Sequence, residues 1–196
     1  MKQLIEETKT YVTRMLSSQL PDHYYYHNLH HTHQVVAAIK TLSADTLINE
    51  WEKNTLLLAG WLHDVGYCYT YDGLESISMT LAMDFLKDHR CSDLLIRGVT
   101  DCIRITRMPQ TPRSLTHSIM CDADMAHLGD PNYIIESEWL RQEWKQYCKL
   151  KYSDHDWALM SLNFLKQHHY FTQTARELWD KGKDRKIISL EQFLKP

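Results

Sequence analysis

The sequence predicts a single all-α domain over residues 1–196. Three observations support this prediction: apolar residues recur at three-to-four-residue spacing in almost every segment, the chain has only six glycines, and no run of alternating β-branched residues predicts a sheet. With 196 residues, 43% of them hydrophobic, the chain can bury one sizeable core. Because no internal repeat, low-complexity tract or linker divides it, one helical domain is the simplest interpretation.

The predicted helices can be followed in order from the N terminus. In residues 4–16 the apolar side chains form a one-sided stripe that ends before Pro21. The segment HTHQVVAAIKTL continues the same period, and TLINEWEKNTLLLAGWLH becomes increasingly apolar. The segment SISMTLAMDFLKDH then places Ile77, Leu81 and Phe85 on one side. Further helices are predicted in SDLLIRGVTDCIRIT, SEWLRQEWKQYCKL, SDHDWALMSLNFLKQHH and TQTARELWD, with a loop at MPQTP after the first of these.

Composition and charge limit the cellular compartments and the classes of binding partner that we expect for the protein. A net charge of −3 and scattered Lys and Arg residues give no reason to expect a nucleic-acid polymer as partner. Five widely spaced cysteines without a CxxC pair are typical of reduced thiols in the cytosol. Glu6 and Glu7 stand where a signal peptide needs apolar residues, and no stretch approaches about 18 consecutive apolar residues. We therefore expect a cytoplasmic protein that is neither exported nor inserted in a membrane.

The segment LLLAGWLHDVGY, residues 56–67, places the polar pair His63 and Asp64 at the end of a nearly apolar stretch. An ionised carboxylate buried there without a partner would cost several kcal/mol. A divalent metal ion would offset that cost, because imidazole and carboxylate together suit Mn²⁺, Fe²⁺, Co²⁺, Zn²⁺ or, less well, Mg²⁺. A hydrogen-bonded His–Asp pair without metal is the alternative. Two ligands are too few for a metal site, so further ligands must come from elsewhere.

Two other segments offer such ligands. The segment CDADMAHLG contains Asp122 and Asp124 among apolar residues. In YHNLHHTHQVV, Asn28 is a plausible helix N-cap, which places His31 in the first helical turn and His27 just before the helix. The histidines of this segment are His27, His30, His31 and His33.

In that order, YHNLHHTHQVV, LLLAGWLHDVGY and CDADMAHLG resemble the motifs of the HD-domain superfamily of metal-dependent phosphohydrolases. The resemblance covers about residues 26–129 and implies an HD-type helical bundle. It implies that His31, His63, Asp64 and Asp124 are the metal ligands. His30 and His33 then fall at variable positions, at the surface or behind the ligands, and Asp122 supports the site or caps a helix.

The same resemblance implies roles for three further residues. His27 resembles the histidine that protonates the leaving oxygen in the cyclic-nucleotide phosphodiesterase branch. Glu75 is the best candidate to orient or deprotonate the attacking water, and Arg107 matches a Lys or Arg position of related sequences and would bind phosphate. Each residue also has an interpretation without a catalytic or binding role. His27 would be an exposed histidine at a helix start, Glu75 an acid in a first helical turn and Arg107 a cation at a helix C terminus.

Two departures from the family pattern bear on the chemistry. Two-metal branches carry a further histidine soon after the doublet, whereas this chain has Leu74, so we expect one divalent ion. Branches that hydrolyse guanosine tetraphosphate carry acids directly after the doublet, where this chain reads HDVGY. A second His–Asp doublet, His155 and Asp156, has no surrounding ligand set and is not expected to form a site.

Together these residues predict a metal-dependent phosphohydrolase that cleaves a small-molecule phosphoester, with a nucleotide as the favoured substrate class. The alternative is a non-catalytic HD-type sensor or interaction module that binds a nucleotide or a partner protein. A purely structural helical module is a third interpretation. The six tryptophans fall on helical stripes and are predicted to belong to the core rather than to stack on a ligand.

Overall fold

A computed structural model describes residues 1–44 and 46–195, and in this part of the chain it confirms the predicted all-α fold. Two 3₁₀ turns, Val65–Cys68 and Ala126–Gly129, interrupt the helices, and no strand occurs among the described residues. The helices are α1 (Lys2–Gln19), α2 (Leu29–Ala44), α3 (Glu50–Leu62), α4 (Leu74–Asp88), α5 (Asp93–Arg104), α6 (Leu115–Asp124), α7 (Tyr133–Tyr147), α8 (Asp154–Gln167) and α9 (Gln173–Phe193).

Side-chain caps determine where several helices begin. Asn49 accepts a hydrogen bond from the backbone N–H of Glu52, whose carboxylate accepts one from the N–H of Asn49. This capping box starts α3 at Glu50, so the preceding residues TLIN, which the apolar pattern included, lie outside the helix. Ser92 and Ser114 cap α5 and α6 in the simpler way, each through one side-chain oxygen.

Helix α3 lies at the centre of the fold, packed against α1, α2 and α5. Its side chains Leu56, Leu58 and Leu62 are fully buried, as the apolar sequence predicts. Each such burial stabilises the fold by roughly 1.5–3 kcal/mol. At Gly60 a Cβ atom would meet Ile39 Cδ1 at 2.5 Å, so the absent side chain lets α2 and α3 approach closely. This close approach brings the start of α2 near the end of α3.

Helix α9 packs against α8 and the 3₁₀ turn Ala126–Gly129, and Asp122 of α6 binds the segment that leads into it. The buried carboxylate of Asp122 accepts hydrogen bonds from the backbone N–H groups of Phe171 and Thr172 and from the Thr172 hydroxyl. Thr172 itself caps α9. Asp122 therefore holds the residues that lead into α9, whose cap is Thr172, and it does not have the capping role that was one of its two predicted roles.

Helices α7 and α8 run over the side of the bundle where α6 ends. The indole N–H of Trp157 donates to the Ser137 hydroxyl at 2.9 Å, and Arg141 pairs with Asp154 at 2.7 Å, so side chains connect the two helices. None of the helices in the described part of the chain combines the length and the apolar character needed to cross a membrane.

Candidate metal centre

The four residues predicted as metal ligands converge in the structure. His31 lies in the first turn of α2, His63 and Asp64 follow α3, and Asp124 ends α6. The Nε2 atom of His31 lies 3.5 Å from Asp64 Oδ2 and 3.3 Å from Asp124 Oδ1. The Nε2 atom of His63 lies 3.1 Å and 3.6 Å from the same two oxygens. Residues from three helix ends therefore present their ligand atoms to one point.

Local structure explains why these atoms face one another. The Oδ1 atom of Asn28 accepts from the backbone N–H of His30, so the predicted cap forms and places His31 on the buried side of α2. The Nδ1 atom of His63 donates to the Gly60 carbonyl at 2.9 Å. Because Nδ1 keeps its proton for this bond, Nε2 faces the two carboxylates and becomes a ligand when a metal ion displaces its proton.

Two polar atoms at this point lie 3.1 Å apart but form no hydrogen bond. Among the described residues, His63 Nε2 and Asp64 Oδ2 are buried and have no hydrogen-bond partner. Metal–ligand bonds of about 2.1 Å would place neighbouring ligand atoms roughly 3.0–3.4 Å apart, close to the separations found here. The ligand atoms of His31, His63 and Asp124 lie within 4.8 Å of one another. These three residues form a group that can hold a metal ion.

The electrostatics of the group favour a bound cation. Burial lowers the pKa of His63, but the neighbouring Asp64 and Asp124 carboxylates raise it more, to about 9. Burial likewise raises the pKa of Asp64, but His63 and His31 hold it well below its usual range. The carboxylate of Asp64 is therefore ionised at neutral pH, in a buried position that a positive charge stabilises.

The second oxygen of Asp124 is held by a residue that the sequence did not single out. Gln110 Nε2 donates to Asp124 Oδ2 at 3.1 Å, which leaves Oδ1 directed toward the two histidines. Gln110 lies in the segment MPQTP, which is a loop as predicted. A single glutamine between two prolines carries no sequence signal for this role.

His27 is paired with Glu143, another residue that was not predicted. The fully buried carboxylate of Glu143 accepts from His27 Nδ1, from the backbone N–H groups of Tyr26 and His27 and from the Tyr71 hydroxyl. Burial lowers the pKa of His27, but Glu143 raises it more, to above its usual value. Although burial raises the pKa of Glu143, the charge and hydrogen bonds of His27 lower it further. The structure therefore favours an imidazolium–carboxylate pair.

A sequence signal for Glu143 exists in the predicted helix SEWLRQEWKQYCKL. Leu140, Glu143, Trp144 and Tyr147 recur at helical spacing, so Glu143 interrupts an apolar and aromatic stripe. An unpaired buried carboxylate costs free energy, so an acid on such a stripe indicates a buried partner for its side chain.

His127 is a further neighbour that the sequence analysis passed over. Its Nδ1 atom lies 2.9 Å from the Tyr26 hydroxyl, and its ring lies 6.3 Å from that of His31. Burial and the nearby His31 lower the pKa of His127 well below its usual value. His127 follows Asp124 by three residues in CDADMAHLG, where only the acids were considered.

One cavity of about 600 Å³ joins the remaining predicted residues. Its walls include the predicted residues His27, His31, Asp64, Glu75, Arg107 and Asp124. His63 lies behind them and is 1% exposed. Arg107 is exposed just beyond α5, and Glu75 stands in the first turn of α4, so both reach the cavity from helix ends. The structure thus brings all the predicted site residues to one place.

Other candidates lie outside this site. His155 and Asp156 are exposed on α8, with side-chain exposures of 67% and 64%, and gather no other ligand among the described residues. His30 and His33 are exposed at the surface of α2, as predicted. A second cavity of about 600 Å³ lies between α1 and α4, where its lining residues are mostly exposed and include no metal-ligand group.

No protein-family model, curated protein or solved structure matches this chain. Function must therefore be argued from the site itself.

Proposed function

We propose that the protein is a metal-dependent phosphohydrolase that cleaves a phosphoester, with a nucleotide as the favoured substrate class. The convergence of two imidazoles and two carboxylates on one point of a large cavity is the observation that carries the proposal. The same cavity wall carries an arginine and a carboxylate-paired histidine, which suit phosphate binding and proton transfer.

His31, His63, Asp64 and Asp124 would hold one divalent ion, of Mn, Fe, Co, Zn or Mg. When bound, such an ion supplies a Lewis acid that lowers the pKa of water and draws electron density from phosphorus. Leu74 supports a single ion, because its apolar side chain lines the cavity where the resemblance to two-metal HD-domain branches would place a histidine. Titration calorimetry should give one ion per chain, and a second ion within about 4 Å of the first would overturn this part of the proposal.

The other residues would divide the remaining work. Arg107 has no ion-pair partner among the described residues, so its guanidinium is available to bind phosphate oxygens. Since Glu143 occupies His27 Nδ1, the proton on Nε2 is the one that His27 can give to the leaving oxygen. Glu75 would orient the attacking water and accept its proton.

A non-catalytic sensor is the second candidate. It is favoured by one observation: Val65 and Leu74 are apolar, at positions where the resemblance to catalytic HD-domain branches leads us to expect acids or a histidine. Such a protein would bind the same ligand in the same cavity without turning it over.

Elemental analysis of the purified protein, followed by hydrolysis assays on a nucleotide panel with Mn²⁺, Co²⁺ and Mg²⁺, tests the proposal. Metal-dependent hydrolysis that Asp64→Ala abolishes would support the enzyme. Nucleotide binding without hydrolysis by the fully metal-loaded protein would support the sensor. Absence of both metal and ligand binding would overturn both candidates.

A further inference from the structure

The cavity extends from the metal centre to an apolar region between α7 and α8. Trp157 is buried, as predicted for a core residue, although it lines the cavity, whereas Trp144 is only partly buried there, so the prediction that tryptophans serve only the core does not describe Trp144. Flat aromatic faces of this kind stack well on planar rings. The aromatic and aliphatic side chains that α7 and α8 contribute to the cavity are Tyr133, Leu140, Trp144, Trp157, Met160 and Phe164.

The charges on the cavity wall limit how many phosphates a ligand can carry. Among the lining residues of the described chain, Arg107 is the one lysine or arginine. Four lining residues are acidic: Asp64 and Asp124, which would hold the metal ion, and Glu75 and Glu136, which have no such cation; the charge of His27 is balanced by Glu143. Each further phosphate would need its own cationic partner, and the acids would repel it. The wall therefore suits a ligand with a single phosphate group.

Glu136 gives this part of the cavity a hydrogen-bonding preference. Its residue is 2% exposed, and its Oε1 atom accepts from Gln34 Nε2 at 2.6 Å. The Oε2 atom is buried and has no hydrogen-bond partner among the described residues. His30 Nε2 lies 3.9 Å from Oε1, too far for a hydrogen bond. Because a carboxylate oxygen accepts hydrogen bonds, a donor on a ligand would supply the partner that Oε2 lacks.

We propose that the α7–α8 side of the cavity binds the organic group of the substrate. The substrate is a monophosphate ester with a flat ring that bears an amino group. Glu136 recognises this amino group by accepting a hydrogen bond from it. The phosphate end of this inference rests on the proposed hydrolase function. Recognition of the ring does not, because a ligand can bind at Glu136 whether or not it is turned over.

The test is calorimetric titration of the metal-loaded protein with matched pairs of nucleoside 5′-monophosphates that differ only in one amino group. The pairs are adenosine and purine riboside, guanosine and inosine, and cytidine and zebularine monophosphates. We expect the amino-bearing member of at least one pair to bind about tenfold tighter or more, the usual effect of a hydrogen bond to a charged group. The corresponding di- and triphosphates should bind no tighter than the monophosphate.

Two variants locate the effect. In Glu136→Gln the amide oxygen should keep the bond from Gln34, which places an N–H₂ donor where Oε2 was, so the preference for the amino group should fall below about threefold. Glu138→Gln, on the exposed side of the same helix, is the matched control and should leave the preference unchanged. Trp144→Ala should weaken binding of aromatic monophosphates about tenfold but leave inorganic phosphate unaffected.

The outcomes separate this inference from the proposed function. An amino preference that Glu136→Gln removes, without hydrolysis of any ligand, would support the inference and overturn the enzyme. Hydrolysis with no amino preference, or equal behaviour of Glu136→Gln and Glu138→Gln, would overturn the inference and leave the enzyme. Tighter binding of triphosphates, or no binding of any monophosphate, would also overturn the inference.

Discussion

Glu143 on α7 holds the Nδ1 atom of His27, although 116 residues separate the two along the chain. The same carboxylate accepts the backbone N–H groups of Tyr26 and His27, so one residue fixes both the imidazole and the chain that leads into α2. Tyr71 donates to it as well, at 3.1 Å. Because the carboxylate is fully buried, its negative charge is balanced by these donors and by a protonated His27.

We predict that His27→Ala retains bound metal but lowers turnover by roughly 10²–10⁴-fold, the usual contribution of a general acid. The loss should be smaller for a nitrophenyl phosphate ester, whose leaving group hardly needs a proton. Glu143→Gln should show the same dependence on the leaving group with a smaller loss, because the ring remains but its orientation and charge are no longer fixed. Steady-state kinetics on both substrates, with metal content measured in parallel, checks this.

Glu75→Gln provides the contrast, since activation of water is needed for either leaving group. That variant should lose turnover equally on both substrates and keep its metal. If His27→Ala and Glu75→Gln depend on the leaving group in the same way, the division of roles between acid and base is wrong.

Asp64→Ala should remove most of the bound metal and lower the melting temperature, because metal binding adds to the stability of the folded state. A chelator should lower the melting temperature of the unaltered protein and leave that of the variant unchanged. The second doublet offers a matched control. Asp156→Ala, at an exposed position of α8, should keep the full metal content. Unchanged metal content in Asp64→Ala, measured by elemental analysis, would show that the site is misassigned.

The candidate ligands could be predicted in two steps: local context indicated buried polar residues, and the resemblance to HD-domain motifs selected His31 among four histidines and Asp124 over Asp122. His63 and Asp64 end a nearly apolar helix, and Asp124 lies among apolar residues, so their burial follows from neighbours in sequence. The boundaries of the helices were less readable, because caps such as Asn49 act through single hydrogen bonds that periodicity does not register.

Glu143, Gln110 and Glu136 could not be assigned roles in the same way. Each acts on a residue that is distant in the chain, so its partner depends on how α7 or the MPQTP loop packs across the bundle. Glu136 and Glu143 do share a sequence feature: both are acids on the buried face of a helix whose other buried residues are apolar or aromatic. That feature predicts a buried partner but does not identify it.

Arg107→Ala should weaken binding of a phosphate-bearing ligand by about 1.5–3 kcal/mol, the usual value for a hydrogen bond to a charged group. Arg107→Lys should recover part of this loss, since it restores the charge without the planar guanidinium. Arg104→Ala is the matched control, because Arg104 is also exposed near the end of α5 but pairs with Asp101 and does not line the cavity. Equal affinities in all three variants, measured by calorimetry, would leave Arg107 as a cation at a helix end.

The pH dependence of stability should reveal the protonation of His168, which does not line the cavity. Both of its ring nitrogens are buried without a hydrogen-bond partner among the described residues. Burial, together with the nearby Lys183 and His169, lowers the pKa of His168 from 6.5 to about 4. As the pH falls from about 6.5 to about 4, the ring therefore takes up a proton in the unfolded chain but stays neutral in the folded protein.

The stabilising effect of a neutral His168 is accordingly complete above about pH 6.5 and is lost progressively toward about pH 4, by up to about 3 kcal/mol. His168→Phe keeps an aromatic ring against Tyr170 but cannot titrate, so its free energy of unfolding should fall less between about pH 7 and about pH 5. Urea unfolding at these two pH values measures the difference, and His155→Phe, at an exposed position of α8, serves as the control. Parallel losses of stability in the unaltered protein and in His168→Phe would mean that the folded protein leaves the pKa of His168 at its ordinary value.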